Sequence, residues 1–122
     1  MSQQSILIVE DDVWLAEQQS RILKKAGYKT TVSPHAIAAI KAVDDEKYNA
    51  IILDVLLTGS TGFALLHELQ SHSDTNVIPV ILCTNLATDL SLDDVKPYGV
   101  RRILDKTTME PDDVVVAVRS VL

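Results

Sequence analysis

Five short runs of aliphatic and β-branched residues, at 5–9, 28–32, 50–54, 77–83 and 102–104, alternate along this 122-residue chain with segments whose apolar residues recur at helical spacing. The first, third and fourth runs are too uniformly apolar to offer a face to water, which is the mark of strands in a parallel sheet covered on both sides. The second and fifth are less apolar. Helical spacing runs from Val13 to Ala26, with Leu15, Ile22 and Leu23 on one stripe, then from Pro34 to Asp45, Gly62 to His72, Thr88 to Tyr98 and Pro111 to Leu122. The alternation predicts five β-α units in an α/β fold. Punctuation agrees: Gly27 follows the first helix as a C-cap, Ser33-Pro34 and Glu110-Pro111 put proline at helix starts, and Asp12 can cap the first helix. The fourth helix is the weakest, because Asp89 to Pro97 holds poor helix formers and a late proline, so its last turn is expected to be irregular.

Composition narrows the function. Hydrophobic residues make up 47% of the chain without a shift along it, which predicts one domain over residues 1–122, with a single core and no effector domain. Seventeen acidic against eleven basic residues leave a net charge of -6 and no basic stripe to neutralise a phosphate backbone, which argues against direct nucleic-acid binding. Cys83 stands alone and cannot form an internal disulfide, the start Met1-Ser2-Gln3-Gln4 lacks the features of a signal peptide, and no apolar run approaches a membrane span. A cytoplasmic location away from the membrane is the expectation.

Open parallel α/β sheets bind their ligands outside the carboxyl ends of the strands. The polar residues at those ends are Glu10 and Asp11 after the first run, Asp54 closing the third, Thr84 after the fourth and Lys106 after the fifth. If the strands are neighbours, three carboxylates, a hydroxyl and an ammonium converge on one edge, a set suited to phosphoryl transfer. Hard oxygen ligands without His or Cys suit Mg2+. Asp54 is then placed to act as nucleophile and form an aspartyl phosphate, Lys106 to contact the phosphoryl oxygens as a point charge, and Thr84 to donate a hydrogen bond to one of them.

Four stretches carry a resemblance: Ile6-Leu7-Ile8-Val9-Glu10-Asp11-Asp12; Ile51-Ile52-Leu53-Asp54 through Gly62-Phe63; Pro79 through Thr84-Asn85; and Tyr98-Gly99 through Lys106. In this order and spacing the chain resembles the receiver domain of two-component response regulators, from Ser5 to Leu122. The resemblance implies a flavodoxin-like, doubly wound (βα)5 sheet in strand order 2-1-3-4-5. It implies Mg2+ bound directly by Asp11 and Asp54, through water by Glu10, and by the backbone carbonyl of Leu56. It also implies phosphorylation of Asp54 by a sensor histidine kinase or phosphotransfer protein, a switch acting through Thr84, and output through helix 4, strand 5 and helix 5 to a downstream target protein or effector domain. Such a domain catalyses only its own phosphorylation and slow dephosphorylation.

Departures from the family pattern bear on behaviour. Ile103 stands where the family usually has Phe or Tyr, so a ring-based readout does not carry over. Thr107 follows the lysine where a cis proline is common; a cis bond to Thr would cost about 3 kcal/mol, and a trans bond or reshaped loop is expected. Asn85 replaces the usual Ala or Gly. Leu56 and Leu86 occupy positions flanking the phosphoryl group, where apolar side chains should hinder attacking water and slow its loss.

Taken singly, each site residue has an ordinary explanation. Asp54 alone reads as a strand-terminal acid, Glu10-Asp11-Asp12 as an acidic helix start, Thr84 as a turn hydroxyl and Lys106 as a solvated charge; their convergence reverses the odds. Cys83 reads as a buried strand residue, His35, His67 and His72 as surface residues, and Trp14 as packed beside the site or partly exposed. An aspartyl-phosphate phosphatase would usually carry a second Asp at position 56, where Leu56 stands, and a nucleotide-binding domain would need glycines where Glu10-Asp11-Asp12 stands. The remaining rival is an interaction module of receiver fold that works without phosphorylation. Val114, Val115, Val118, Val121 and Leu122 make the last helix apolar enough for some of them to join a homodimer face, with Arg101, Arg102 and Arg119 pairing with Asp89, Asp93 and Asp94.

Overall fold

A computed structural model of the chain describes residues 3–57 and 60–122. Met1 and Ser2, part of the start that lacks signal-peptide features, and Thr58-Gly59 of the second motif lie outside the described residues. Five strands, β1 (Ser5–Val9), β2 (Lys29–Ser33), β3 (Ala50–Leu53), β4 (Val80–Thr84) and β5 (Val100–Asp105), form one sheet in the order 2-1-3-4-5, every pair parallel. The helices are α1 (Val13–Lys25), α2 (Ala36–Asp45), α3 (Gly62–Gln70), α4 (Leu92–Val95) and α5 (Asp113–Val121). The five β-α units expected from the alternation, and the doubly wound strand order implied by the resemblance, are therefore present.

Period-two alternation along the inner strands splits the core into two layers. Leu7, Val9, Ile51, Leu53, Val80 and Leu82 point to one face, where they pack with Ala39, Leu65, Leu66, Leu69 and Val95 from α2, α3 and α4. Ile6, Ile8, Ile52, Ile81 and Cys83 point to the other, under Ala16 and Leu23 of α1 and Val114, Val115, Ala117 and Val118 of α5. The absence of a polar face in these strands follows directly. In α1 the buried stripe is Ala16, Gln19, Ser20 and Leu23, so Leu15 and Ile22 flank the core contact and do not centre it. Most valines of α5 cover the sheet, and Val116 is the exposed one.

Local signals explain the ends of α1. The Asp12 carboxylate accepts the Leu15 amide at 3.1 Å, Lys24 and Lys25 occupy the last turn, and Gly27 follows with φ +102. The prolines behave differently from expectation: α2 begins at Ala36, capped by the His35 ring nitrogen on the Ala38 amide, and α5 begins at Asp113 after Asp112. The helix expected at 88–98 is interrupted, with single turns of 3-10 helix at Ala87–Asp89 and Lys96–Tyr98 around the four residues of α4. Pro97 and the lack of side-chain caps account for that. Between β4 and β5 the register shifts after Val80, so Arg101 and Arg102 are both exposed. A short antiparallel hairpin, Leu56–Leu57 with Ser60–Thr61, lies between β3 and α3 and has no counterpart in the sequence reading. No described helix is long and apolar enough to cross a membrane.

Candidate functional site

Strand register alone brings the acids together. Val9 pairs with both Ser33 and Leu53, so Glu10 and Asp54 leave adjacent strands at the same level. The ladder continues one step past the strand ends: Glu10 donates its amide to the Ser33 carbonyl at 3.1 Å, Asp54 to Val9 at 3.2 Å and Lys106 to Thr84 at 3.1 Å. These bonds seat the backbones of Glu10, Asp54 and Lys106 on the sheet. Thr84 pairs with Asp105, which puts Lys106 one residue beyond it.

Side chains then converge. Glu10, Asp11 and Asp54 each offer a carboxylate oxygen, all within 4.8 Å of one another, and this is the one such acidic group among the described residues. Glu10 and Asp54 are buried, at 3% and 5% exposure, and carboxylates at that depth require partners. They find them: Asp54 Oδ1 accepts the Leu56 amide at 3.1 Å, its Oδ2 accepts the Lys106 ammonium at 2.6 Å, and Glu10 accepts the Asp12 amide at 3.2 Å and pairs with Lys106. Burial pushes the Glu10 carboxyl up, more than its hydrogen bonds and the Lys106 charge pull it down. Burial pulls the Lys106 ammonium the other way, but its bonds to Asp54 and Glu10 outweigh this and leave it raised, hence charged near neutrality.

The remaining residues singled out from the sequence differ in their surroundings. Thr84 is fully buried at the end of β4, and its hydroxyl accepts the Leu86 amide at 3.1 Å. A hydroxyl that accepts one bond retains a proton to donate. Leu56 touches Asp54 through its amide, while its side chain is half exposed. Leu86 packs partly onto the core and Asn85 is exposed. Ile103 is half-buried against the same core layer. Trp14 is exposed. Cys83 is buried, with its thiol pushed up to about 11, chiefly by burial. The peptide bond after Lys106 is trans, as expected for Thr107.

Two contributors escaped the sequence reading. A Cβ on Gly62 would collide with the Asp54 carbonyl oxygen and sit 2.6 Å from Val55 Cα, so only glycine lets α3 begin against the Asp54 loop. Its place eight residues after a strand-end aspartate was visible, but the close approach is tertiary. The second is Asp105, whose carboxylate binds the amide and hydroxyl of Thr107; an Asp followed two residues later by Thr is a turn signal that could have been read.

Hard oxygen donors without nitrogen or sulfur, in reach of one another, match a small divalent cation such as Mg2+. The donor set therefore fits, with the ammonium of Lys106 already neutralising part of the same carboxylate charge. What the arrangement offers chemically is a buried carboxylate oxygen in contact with an ammonium, with a hydroxyl at the end of the neighbouring strand.

Comparisons with known proteins agree with this fold. Residues 6–119 match the family model described as the response regulator receiver domain. The sensory transduction protein RegX3 of Mycobacterium bovis is 31% identical over 110 residues, which cover 82% of this chain and 47% of that protein. The chain thus spans about half the length of the curated relatives first matched. Among solved structures, the signal receiver domain of a signal transduction histidine kinase from Syntrophus aciditrophicus is 30% identical, with a TM-score of 0.82, covering 98% of this chain and 89% of that one. A sensor protein from Polaromonas sp. JS666 shares the fold at TM-score 0.90 and 23% identity, covering 98% and 96%.

Proposed function

The chain belongs to the response regulator receiver family, and from that premise we propose that residues 1–122 act as one receiver unit whose Asp54 accepts a phosphoryl group from the phosphohistidine of a sensor histidine kinase or phosphotransfer protein. The observation that carries this reading is the contact of Lys106 with both Glu10 and Asp54 at the sheet edge. An Asp54 carboxylate oxygen attacks phosphorus; the phosphorus–nitrogen bond of the donor breaks, and its electron pair stays on the imidazole. Mg2+, held by Asp11, Asp54 and the Leu56 carbonyl and through water by Glu10, would supply charge stabilisation to the transferring phosphoryl group.

The chain's own residues perform the rest. Asp54 is held for attack by the Leu56 amide and the Lys106 ammonium. Lys106 is placed to follow the developing charge onto the phosphoryl oxygens, since it already faces the acceptor. Thr84 keeps its proton for a third oxygen, and doing so draws on the Leu86 turn, which links the site to the segment carrying α4. That segment, with β5 and α5, is the output surface for a downstream target, an effector domain or a second copy. Transfer to Asp54 would be followed by slow hydrolysis, because positions 56 and 86, which the family resemblance puts beside the phosphoryl group, carry leucines without a polar group to orient water; the domain regulates and does not turn over substrate.

Intact mass after incubation with Mg2+ and phosphoramidate tests the proposal. One added phosphoryl group, absent from Asp54→Asn and without Mg2+, is the expected result. No gain in a folded wild-type protein would favour an interaction module that works without phosphorylation.

A further inference from the structure

Lys106 lies in a short loop whose backbone is tied from both sides. Its own amide is bonded to the Thr84 carbonyl at 3.1 Å, and the next turn closes with the Thr108 and Met109 amides on the Asp105 carbonyl at 3.2 and 2.9 Å. Within that turn Asp105 Oδ1 accepts the Thr107 amide at 2.9 Å and the Thr107 hydroxyl at 2.6 Å, a pair of bonds that brackets Lys106. Neither residue lies at the chemistry: Asp105 points its carboxylate at Thr107, and Thr107 is exposed. Thr107 also contributes a backbone N–H, which a proline there would lack.

A lysine has four rotatable side-chain bonds and about 2 kcal/mol of rotamer entropy to lose when its ammonium is fixed. The ammonium of Lys106 nonetheless meets two buried carboxylates. Fixing the direction in which its Cβ leaves the backbone removes much of the search. We propose that Asp105 and Thr107 are positioning residues for Lys106, bracing the loop so that the ammonium stands at Asp54 before any phosphoryl group arrives. The inference rests on the reading of Asp54 as phosphoacceptor for its kinetic consequence, though not for the placement of the ammonium. Because both residues are at the surface and the bonds are local to one turn, their loss should leave the fold intact.

The test is the rate of phosphorylation by phosphoramidate, followed by intact mass, for Asp105→Ala, Thr107→Pro, Asp105→Asn and Thr107→Ser, each also made on Lys106→Ala. Asp105→Ala and Thr107→Pro should slow phosphorylation about tenfold with the unfolding midpoint nearly unchanged, given that bonds to charged groups carry the larger share of hydrogen-bond energy. Asp105→Asn and Thr107→Ser, which keep an acceptor and both donors respectively, should stay close to wild type. On Lys106→Ala none of the four should slow the reaction further; an equal slowing in both backgrounds, or none in either, overturns the proposal. If the wild-type chain takes up no phosphoryl group, the proposed function fails, and the placement is read instead from the lysine ammonium signal in a 15N–1H correlation spectrum of metal-free protein. A Lys106 signal protected from exchange in wild type and lost in Asp105→Ala supports the bracing role, and one that survives in Asp105→Ala removes it.

Discussion

The half of the molecule around β1, β3 and α1 and the half around β5 and α4 meet at the same sheet edge, yet they are built by different means. In the first half the strands are buried from Ile6 to Val9 and from Ala50 to Leu53, and a thirteen-residue helix carries a side-chain cap at its start and a left-handed glycine after its end. In the second, an edge strand carries a register shift, and a four-residue helix without side-chain caps sits between two 3-10 turns. The carboxylates come from the more deeply buried half; the hydroxyl leads into the thinner one and the ammonium comes from just past its edge strand. Local stability of this unequal kind would suit the proposed switch, because an element that moves must be the one with least to lose.

Matched substitutions across the two halves would break the comparison if they behaved alike. The largest contrast is Leu7→Ala against Leu92→Ala. Leu7 is fully buried in β1, and its truncation should cost about 2–5 kcal/mol in urea unfolding. Leu92, 37% exposed in α4, should cost less than about 1 kcal/mol. Equal losses would mean that α4 is as deeply anchored as the central strand.

Glycine replacements come next. Gly62→Ala forces a methyl against the backbone of Asp54 and Val55, so it should destabilise by about 1–3 kcal/mol and slow phosphorylation as well. Gly99→Ala opens β5 with φ +86, but the added atom meets the end of the flexible Gln70 side chain; about 1 kcal/mol of backbone strain is expected, with phosphorylation unchanged. A smaller pair separates the helix starts. Asp12→Ala removes a bond to the Leu15 amide and should cost about 1 kcal/mol, whereas Ser91→Ala, where no side-chain cap is made, should shift the thermal midpoint negligibly.

Titration gives the smallest contrast, with opposite signs. Burial raises the folded-state Glu10 carboxyl above 4.5, so the metal-free protein binds that proton more tightly folded than unfolded. Its contribution to stability is full below pH 4.5 and falls away as pH rises through the raised value. Asp105 is lowered from 3.8 by the Thr107 hydroxyl and amide, so its contribution is present above 3.8 and is lost as pH falls through the lowered value. Stability measured against pH for Glu10→Gln and Asp105→Ala should differ from wild type in those opposite directions.

Much of the site was legible because strand ends announce themselves: an apolar run followed at once by Glu10-Asp11, or ended by Asp54, marks where backbone leaves the sheet. Parallel pairing then aligns those ends without further instruction, so the meeting of Glu10, Asp54 and Lys106 followed from topology. Boundaries were harder. Pro34 and Pro111 precede their helices by two residues, because His35 and Asp112 take the cap positions. The break-up of residues 87–98 was half visible in Pro97, but which turns became 3-10 depends on how Val95 and Leu90 reach the core.

What the sequence by itself determined is the alternation of elements, the two-sided burial of the central strands and the set of charged residues at their ends, since hydrophobic period and turn chemistry are local properties of the chain. Only the tertiary structure decided that one ammonium, that of Lys106, is shared by Glu10 and Asp54, that Gly62 must clear the Asp54 carbonyl and that Arg101 and Arg102 share the surface. Those outcomes depend on distances between segments far apart in the chain, or on how a loop closes against its neighbours, and such distances are set by packing and register.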